Sequence, residues 1–237
     1  MKVIIATPMY GGFCTSGYTA SMINFMKMYG SNKDIEIEYM YGVGEALVTR
    51  ARNMCANIFL KSDATHLLFI DSDIEFIPEQ LFKMIQTKND FVCGIYPKKN
   101  IQWNQIREAV LRGAKVEQLP SYGSEYLVIF DKRQKESSDG LIEIERAGTG
   151  CMMISRGVFD TLSDKVKTFR IEAPVDSNVK FGQNEVYKEY FYTSTDLKTE
   201  IFLHEDFTFC QMWKETGGKI YGAPWVKLKH IGNHTYG

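Results

Sequence analysis

Apolar and polar residues follow two periods along the first hundred positions, and these periods predict the order of strands and helices. Four short runs are continuously apolar or alternate with period two, as β-strands do; they cover residues 2–8, 34–42, 65–71 and 90–97. Between the runs, apolar residues recur at helical spacing over residues 18–30, 45–62 and 78–87. Strands that alternate with helices predict an α/β fold, in which a mostly parallel sheet has helices on both faces and right-handed crossovers.

The hydrophobic pattern is less regular beyond residue 100. Strands are predicted over residues 125–130 and 141–155, and helices over residues 104–114 and 156–165. Residues 165–203 are poorly patterned and rich in aromatic side chains, which is typical of a functional lid or a binding loop. Both flanks of the polar stretch 132–140 have strand patterns, so this stretch is interpreted as a surface turn. We therefore predict one domain over residues 1–237, with two halves that meet near residue 100.

Charge and hydropathy exclude several classes of partner. The 237 residues include 28 basic and 29 acidic side chains, which give a formal net charge of -1. A surface for nucleic acid or for an anionic membrane is therefore not expected. The apolar run at the N-terminus stops at Pro8, too early for a secretion signal, and no window reaches the roughly 20 apolar residues of a membrane span.

The cysteines indicate a reducing compartment. There are five, which is an odd number, and they are scattered without any C-x-x-C pair. This distribution favours buried, reduced thiols over a disulfide framework or a zinc site, so we expect a cytoplasmic protein. The five residues are Cys14, Cys55, Cys93, Cys151 and Cys210.

Two carboxylates follow the third predicted strand, in the stretch HLLFIDSDIEF. Residues two apart in a strand point to the same side, so Asp71 and Asp73 are expected to lie close together at the carboxyl end of a buried strand, where α/β sheets bind ligands. Close carboxylates repel each other unless a cation lies between them, and oxygen ligands suit Mg²⁺ or Mn²⁺. The alternative is a pair of turn and capping aspartates ahead of the helix at Pro78, and a short D-x-D string does not decide between them.

A second acidic group stands before a predicted helix near the C-terminus. His204, Glu205 and Asp206 precede apolar residues at helical spacing in FLHEDFTFCQMW. Acidic residues at a helix start are favoured by capping and by the helix dipole, so a structural role is one interpretation. Further along, His230 follows an alternating strand pattern and His234 lies four residues later.

These motifs, in this order, resemble the GT-A glycosyltransferases, in which a strand ends in a D-x-D that binds a metal and the nucleotide-sugar diphosphate. More narrowly, the chain resembles the soluble GT-A domains of large DNA viruses, such as the chlorovirus enzymes that decorate capsid glycans. The resemblance implies a Rossmann-like, mostly parallel sheet with a nucleotide-sugar half over residues 1–100. A smaller second sheet is expected in the acceptor-binding and catalytic half, residues 101–237. The motifs that carry the resemblance are ATPMYGG, ARN, LLFIDSDI, CGIYPKK, GTGCMMI, HEDFTFC and KHIGNHTYG.

The resemblance also implies a metal site. Asp73 would be a direct ligand, and Asp71 would contact the metal through water or bind the donor ribose. A late histidine often returns to the metal in this family, and His230 is the expected third protein ligand with His234 in reserve. Imidazole favours Mn²⁺ over the strictly oxygen-seeking Mg²⁺.

The donor site is implied in the same way. Arg52 would reach the diphosphate or the donor sugar, to which a guanidinium fork is well matched, and its alternative is a solvated helix arginine. Tyr96 would pack near the sugar, or would be core. The remaining expected donor-binding residues are Thr7, Pro8 and Tyr10, which would line the base pocket, and Ser72.

The implied reaction is the metal-dependent transfer of a hexose from a nucleotide-diphosphate donor, with UDP as the expected nucleotide, to a hydroxyl of a glycan or glycoprotein. In an inverting enzyme Asp206 would be the general base, with Glu205 second; in a retaining enzyme the same carboxylate would orient hydroxyl groups. Trp103, in a polar stretch, is the candidate for stacking on an acceptor ring. The alternatives are a sugar-nucleotide nucleotidyltransferase and a non-catalytic glycan-binding protein on the same fold.

Overall fold

The structure is a computed structural model, and it describes residues 1–131, 137, 139–171 and 185–232. Seven α-helices occur in these residues: α1 Ser16–Tyr29, α2 Val48–Lys61, α3 Pro78–Gln86, α4 Trp103–Leu111, α5 Leu119–Tyr122, α6 Arg156–Leu162 and α7 Glu205–Glu215. The strands of the first half are β1 Lys2–Met9, β2 Glu36–Val43, β3 His66–Ile70, β4 Ile74–Phe76 and β5 Phe91–Gly94. Those of the second half are β6 Val128–Phe130, β7 Ile142–Ala147, β8 Cys151–Ser155, β9 Thr168–Arg170, β10 Val186–Lys188, β11 Ser194–Thr195, β12 Phe202–Leu203, β13 Ile220–Ala223 and β14 Leu228–His230.

Eight strands form the central sheet in the order β2-β1-β3-β8-β5-β13-β7-β6. Strands β1, β2, β3, β5, β6 and β13 run in one direction, whereas β7 and β8 run against them. The predicted α/β class, with a mostly parallel sheet and small accessory sheets, is confirmed. The sheet is mixed because β7 and β8 run against the other strands, and β8, from the second half of the chain, lies between β3 and β5.

Both faces of the sheet are buried, which explains the continuous apolar run of β1. Ile4 and Ala6 face one core with residues of α2, α6 and α7, whereas Val3 and Ile5 face a second core with residues of α1 and α3. A strand covered on both faces needs apolar side chains at successive positions. Helices therefore lie on both sides of the sheet, as predicted.

Part of the segment predicted as a lid is core. Tyr187, Tyr190 and Phe191 are buried. Phe181, in the same predicted segment, lies outside the described residues. Two asparagines of α2 bind the described part of the segment, each with a pair of hydrogen bonds. The Asn53 amide donates to the Phe191 carbonyl (2.7 Å) and accepts from the Phe191 N–H (2.8 Å). Asn57 makes the same pair of bonds with Lys188, at 2.8 and 2.9 Å. The polar side of α2 therefore serves as a backbone partner for a distant part of the chain.

The remaining composition-based expectations have mixed outcomes. All five cysteines are free thiols and four are buried, but Cys14 is exposed. Trp213 and Trp225 pack against the cores. Among the residues that the structure describes, no helix has the length and apolar character needed to cross a membrane.

Candidate active site

A cleft of about 470 Å³ opens beyond the carboxyl ends of β1 and β3. Among the residues expected to bind the donor, Pro8, Tyr10, Arg52, Asp71 and Ser72 line this cleft, as does the predicted metal ligand Asp73. Thr7 is not in the wall, because it is fully buried and its hydroxyl bonds to the hydroxyl of Tyr18 at 2.7 Å. The D-x-D stretch therefore lies at the edge of the sheet where parallel strands bind ligands.

Arg52 is buried at the base of this cleft and not exposed, which corrects the interpretation as a solvated arginine. It is 4% exposed, and its Nη2 donates to both oxygens of Asp71 at 3.0 and 3.1 Å. Its Nε lies 3.5 Å from Oε1 of Glu205, at the start of α7. Burial alone would lower the pKa of Arg52, but the charges of Asp71 and Glu205 outweigh it and raise that pKa. Arg52 thus carries a permanent positive charge, and within the described part of the chain its buried Nη1 has no hydrogen-bond partner.

Asp73 and His230 meet because β14 pairs with β4, which places His230 opposite Ile74. The ring Nδ1 lies 2.9 Å from the carbonyl oxygen of Pro97, so Nδ1 carries the hydrogen in the neutral imidazole. In that form the lone pair of Nε2 faces Oδ1 of Asp73 at 3.4 Å, and this buried oxygen has no hydrogen-bond partner among the residues that the structure describes. A ligating histidine typically donates its other ring N–H to a carbonyl in this way.

Lys99 contacts the other oxygen of Asp73 and also lines the cleft. Burial raises the pKa of Asp73, but a hydrogen bond from Nε2 of His230 in its protonated, imidazolium form and the ammonium of Lys99 outweigh burial and lower that pKa below its ordinary value. Asp73 is therefore an anion at neutral pH, and it is held by positive or polarisable neighbours.

The predicted metal ligands are brought together only in part. Asp73 and His230 converge, whereas both oxygens of Asp71 accept from Arg52. In the described residues, no three His, Cys, Asp or Glu side chains form a cluster that could hold a metal ion by themselves. Divalent ions in phosphate-binding sites commonly use one or two protein ligands and complete their shell with water and substrate phosphates. The unpartnered Asp73 oxygen beside an imidazole lone pair fits a site of that kind.

Glu205 and Asp206 begin α7 and are both buried. Glu205 faces Arg52, whereas Oδ1 of Asp206 accepts from the N–H of Phe207 at 2.7 Å. Burial, reinforced by the charge of Glu205, raises the pKa of Asp206 to about 6. A carboxylate with such a pKa is ionised at neutral pH and is a stronger base than an exposed aspartate.

Tyr96 belongs to the support of the site and lies outside the cleft wall. It is buried, its hydroxyl accepts from the N–H of Gly150 at 3.0 Å, and its ring meets the edge of His230 with centroids 5.3 Å apart. A β-carbon on Gly148 would lie 2.2 Å from the tyrosine hydroxyl, and one on Gly150 would lie 2.6 Å from the ring. The G-T-G ahead of β8 was the sequence signal for this close packing, which sequence reasoning missed.

Two expected acceptor residues are not part of the described site. Trp103 is 64% exposed at the first position of α4 and does not line the cleft. His234 lies outside the described residues.

Comparisons with known proteins bear on the fold. No family model matches the chain, and no curated protein sequence matches it. Among solved structures, A197 from STIV aligns over 98% of this chain and 87% of its own, with 18% identity and a TM-score of 0.52. The chain shares the fold of A197. Two weaker similarities are to GalNAc-T7 with UDP, GalNAc and Mn²⁺ (TM-score 0.45, 10% identity, 98% of this chain and 44% of that one) and to the inositol-1-phosphate CTP transferase from T. maritima (0.40, 7%, 95% and 88%).

Proposed function

We propose that this protein is a metal-dependent glycosyltransferase that moves a sugar from a nucleotide-diphosphate donor, with UDP as the expected nucleotide, to a hydroxyl of a glycan or glycoconjugate. The observation that carries the proposal is that four distant chain segments meet beside one cleft. Arg52, Asp71 and Asp73 line it, whereas Glu205 and His230 contact Arg52 and Asp73 from outside its wall. Arg52 from α2, Asp71 and Asp73 after β3, Glu205 from α7 and His230 from β14 are linked by direct contacts. Apart from Asp71 and Asp73, no two of them are close in sequence.

The cleft wall carries two cations, Arg52 and Lys99, and three carboxylates, Glu45, Asp71 and Asp73, so it suits a diphosphate that binds together with a divalent cation. Arg52 lines it with a permanently positive guanidinium, and the ammonium of Lys99 lies on the same wall. The end of β1 and the residues after it supply Pro8, Tyr10 and Phe13, whose apolar surfaces suit a nucleoside. The stretch TPMYGGFCTSGY, which runs from the end of β1 into α1, contains no lysine or arginine to hold a triphosphate, and this supports sugar transfer over nucleotidyl transfer.

Asp73 and His230 are the residues that would hold a divalent cation, Mn²⁺ or Mg²⁺. The chemistry that such an ion supplies when bound is neutralisation of the charge on the departing nucleotide diphosphate. Asp71 acts indirectly in this proposal, because its bidentate contact fixes the guanidinium of Arg52. The imidazole ligand favours Mn²⁺.

Asp206 is the proposed general base. Its role is to accept the proton of the acceptor hydroxyl while that oxygen bonds to the anomeric carbon and the bond from this carbon to the diphosphate oxygen breaks. Glu205 is the poorer candidate, because its carboxylate faces Arg52. In a retaining reaction, Asp206 would instead orient the hydroxyl groups of donor or acceptor.

The base assignment is tested with Asp206→Asn, which keeps the size of the side chain and the acceptor for the Phe207 N–H. Donor affinity measured by calorimetry with Mn²⁺ should stay within about threefold of wild type, whereas transfer should fall by a factor of roughly 10²–10⁴, the usual contribution of a general base. Unchanged turnover would remove Asp206 from this role. Loss of donor affinity together with turnover would instead indicate a binding residue.

A further inference from the structure

Lys99 lines the cleft and contacts Asp73, and the resemblance assigns it no role. It lies beyond β5, and its ammonium contacts Oδ2 of Asp73. Its aliphatic part packs against Gly232, where a β-carbon would lie 2.7 Å from Cδ of the lysine. The lysine side chain therefore lies in space that is open because residue 232 has no side chain.

In this position, the ammonium of Lys99 would compete with the proposed divalent cation for the carboxylate of Asp73. The proposed divalent site uses Asp73 and His230, and the ammonium of Lys99 is already bound to the same carboxylate. Two positive charges within a few ångströms repel each other, so a divalent ion at Asp73 disfavours the ammonium there, and the ammonium disfavours the ion. Arg52 is not available to bind Asp73 in place of Lys99, because its Nη2 donates to both oxygens of Asp71.

The cleft offers the displaced ammonium a second anionic partner. Lys99 is 40% exposed and lines the same cavity as Arg52, in which the proposed function places a nucleotide diphosphate. Lysine is suited to such a move, because it is a compact point charge on a flexible stem with three rotatable donors, whereas arginine is a rigid fork.

We propose that Lys99 is an exchange residue, whose ammonium passes from Asp73 to the phosphate oxygens of the donor when a divalent cation takes the carboxylate. This inference rests on the proposed function and deepens it. It requires metal and nucleotide to bind cooperatively, because nucleotide gives Lys99 an alternative anion and frees Asp73 for the metal. Linkage then requires the metal to strengthen nucleotide binding by the same factor.

The test compares wild type, Lys99→Met and the control Lys98→Met. Lys98 is adjacent, has the same 40% exposed side chain and pairs with Glu125 outside the cleft. Calorimetry measures the affinity for Mn²⁺ alone, for UDP alone and for each in the presence of the other. Circular dichroism and thermal melting check that each variant is folded.

We expect Lys99→Met to bind Mn²⁺ alone at least threefold more tightly than wild type, and to bind UDP in saturating Mn²⁺ at least tenfold more weakly. Lys98→Met should match wild type in both affinities. These opposite changes distinguish exchange from a structural role, which would weaken both. Equal or weaker Mn²⁺ binding by Lys99→Met would overturn the exchange and leave the proposed function standing. A wild-type protein that binds neither Mn²⁺ nor UDP would overturn both.

Discussion

Replacing Asp206 by asparagine should stabilise the protein at neutral and alkaline pH, because the wild-type carboxylate is ionised where burial and Glu205 disfavour the charge. The pKa rises from its ordinary 3.8 to about 6 in the folded chain. A pKa difference of one between the folded and unfolded states is worth about 1.36 kcal/mol, so a difference of about 2 corresponds to about 3 kcal/mol of lost stability. Asparagine keeps the hydrogen bond from Phe207 and removes the charge.

The effect has a defined pH window. Between pH 4 and 6 the folded wild-type chain binds more protons at Asp206 than the unfolded chain, so the contribution of this group to stability falls as pH rises. The loss of stability caused by the Asp206 charge is complete above pH 6 and is absent below pH 4. The free energy of unfolding of Asp206→Asn should therefore exceed that of wild type by about 1–3 kcal/mol at pH 8, and by much less at pH 4.

Urea unfolding at pH 4, 6 and 8, followed by circular dichroism, measures this difference. Asp71→Asn is the matched control, because the same chemical change there removes a partner of buried Arg52 and should destabilise the protein by about 1–3 kcal/mol. The activity of wild type should fall as pH drops through about 6, as the base becomes protonated. A stability gain that is the same at all three pH values, or a loss at pH 8, would refute the assignment of a raised pKa to Asp206.

Two further predictions concern the support of the site. Gly150→Ala should cost about 1–3 kcal/mol, and adding Tyr96→Leu should recover part of this loss because the ring atom 2.6 Å from the new β-carbon is gone; strictly additive losses in the double-mutant cycle would contradict the close contact. Asn53→Ala should cost about 2–4 kcal/mol in urea unfolding, because the buried N–H and carbonyl of Phe191 lose their partners; a loss below about 1 kcal/mol would show that water replaces the side chain.

Local periodicity predicted the first half of the fold because its elements have strong patterns of their own. The run of β1 and the apolar stripe of α2 both indicated the correct element type. The position of β8 was not predictable in this way, because nothing in the stretch that forms it indicates which strands flank it. Insertion between β3 and β5 depends on pairing across more than fifty residues.

The position of a residue relative to the cleft was predictable where it depends on the residue's own segment, and not where it depends on a distant partner. Asp73 lies in the cleft, as expected from its position after a strand. A solvated position was the alternative for Arg52, and the helical pattern could not exclude it because the partners of this side chain come from residues 71 and 205. Thr7 was expected in the base pocket from the family resemblance, yet it is fully buried and its hydroxyl bonds to that of Tyr18.

The most direct test of the account is whether hydrolysis of a nucleotide sugar depends on Mn²⁺ through Asp73. Candidate donors are first selected by thermal shift with Mn²⁺, since a ligand that binds the folded state raises its apparent stability. Wild type should then hydrolyse the selected donor with Mn²⁺ and lose this activity in chelator, whereas Asp73→Asn should be inactive in both conditions. Equal rates for the two proteins, unaffected by chelator, would contradict the account.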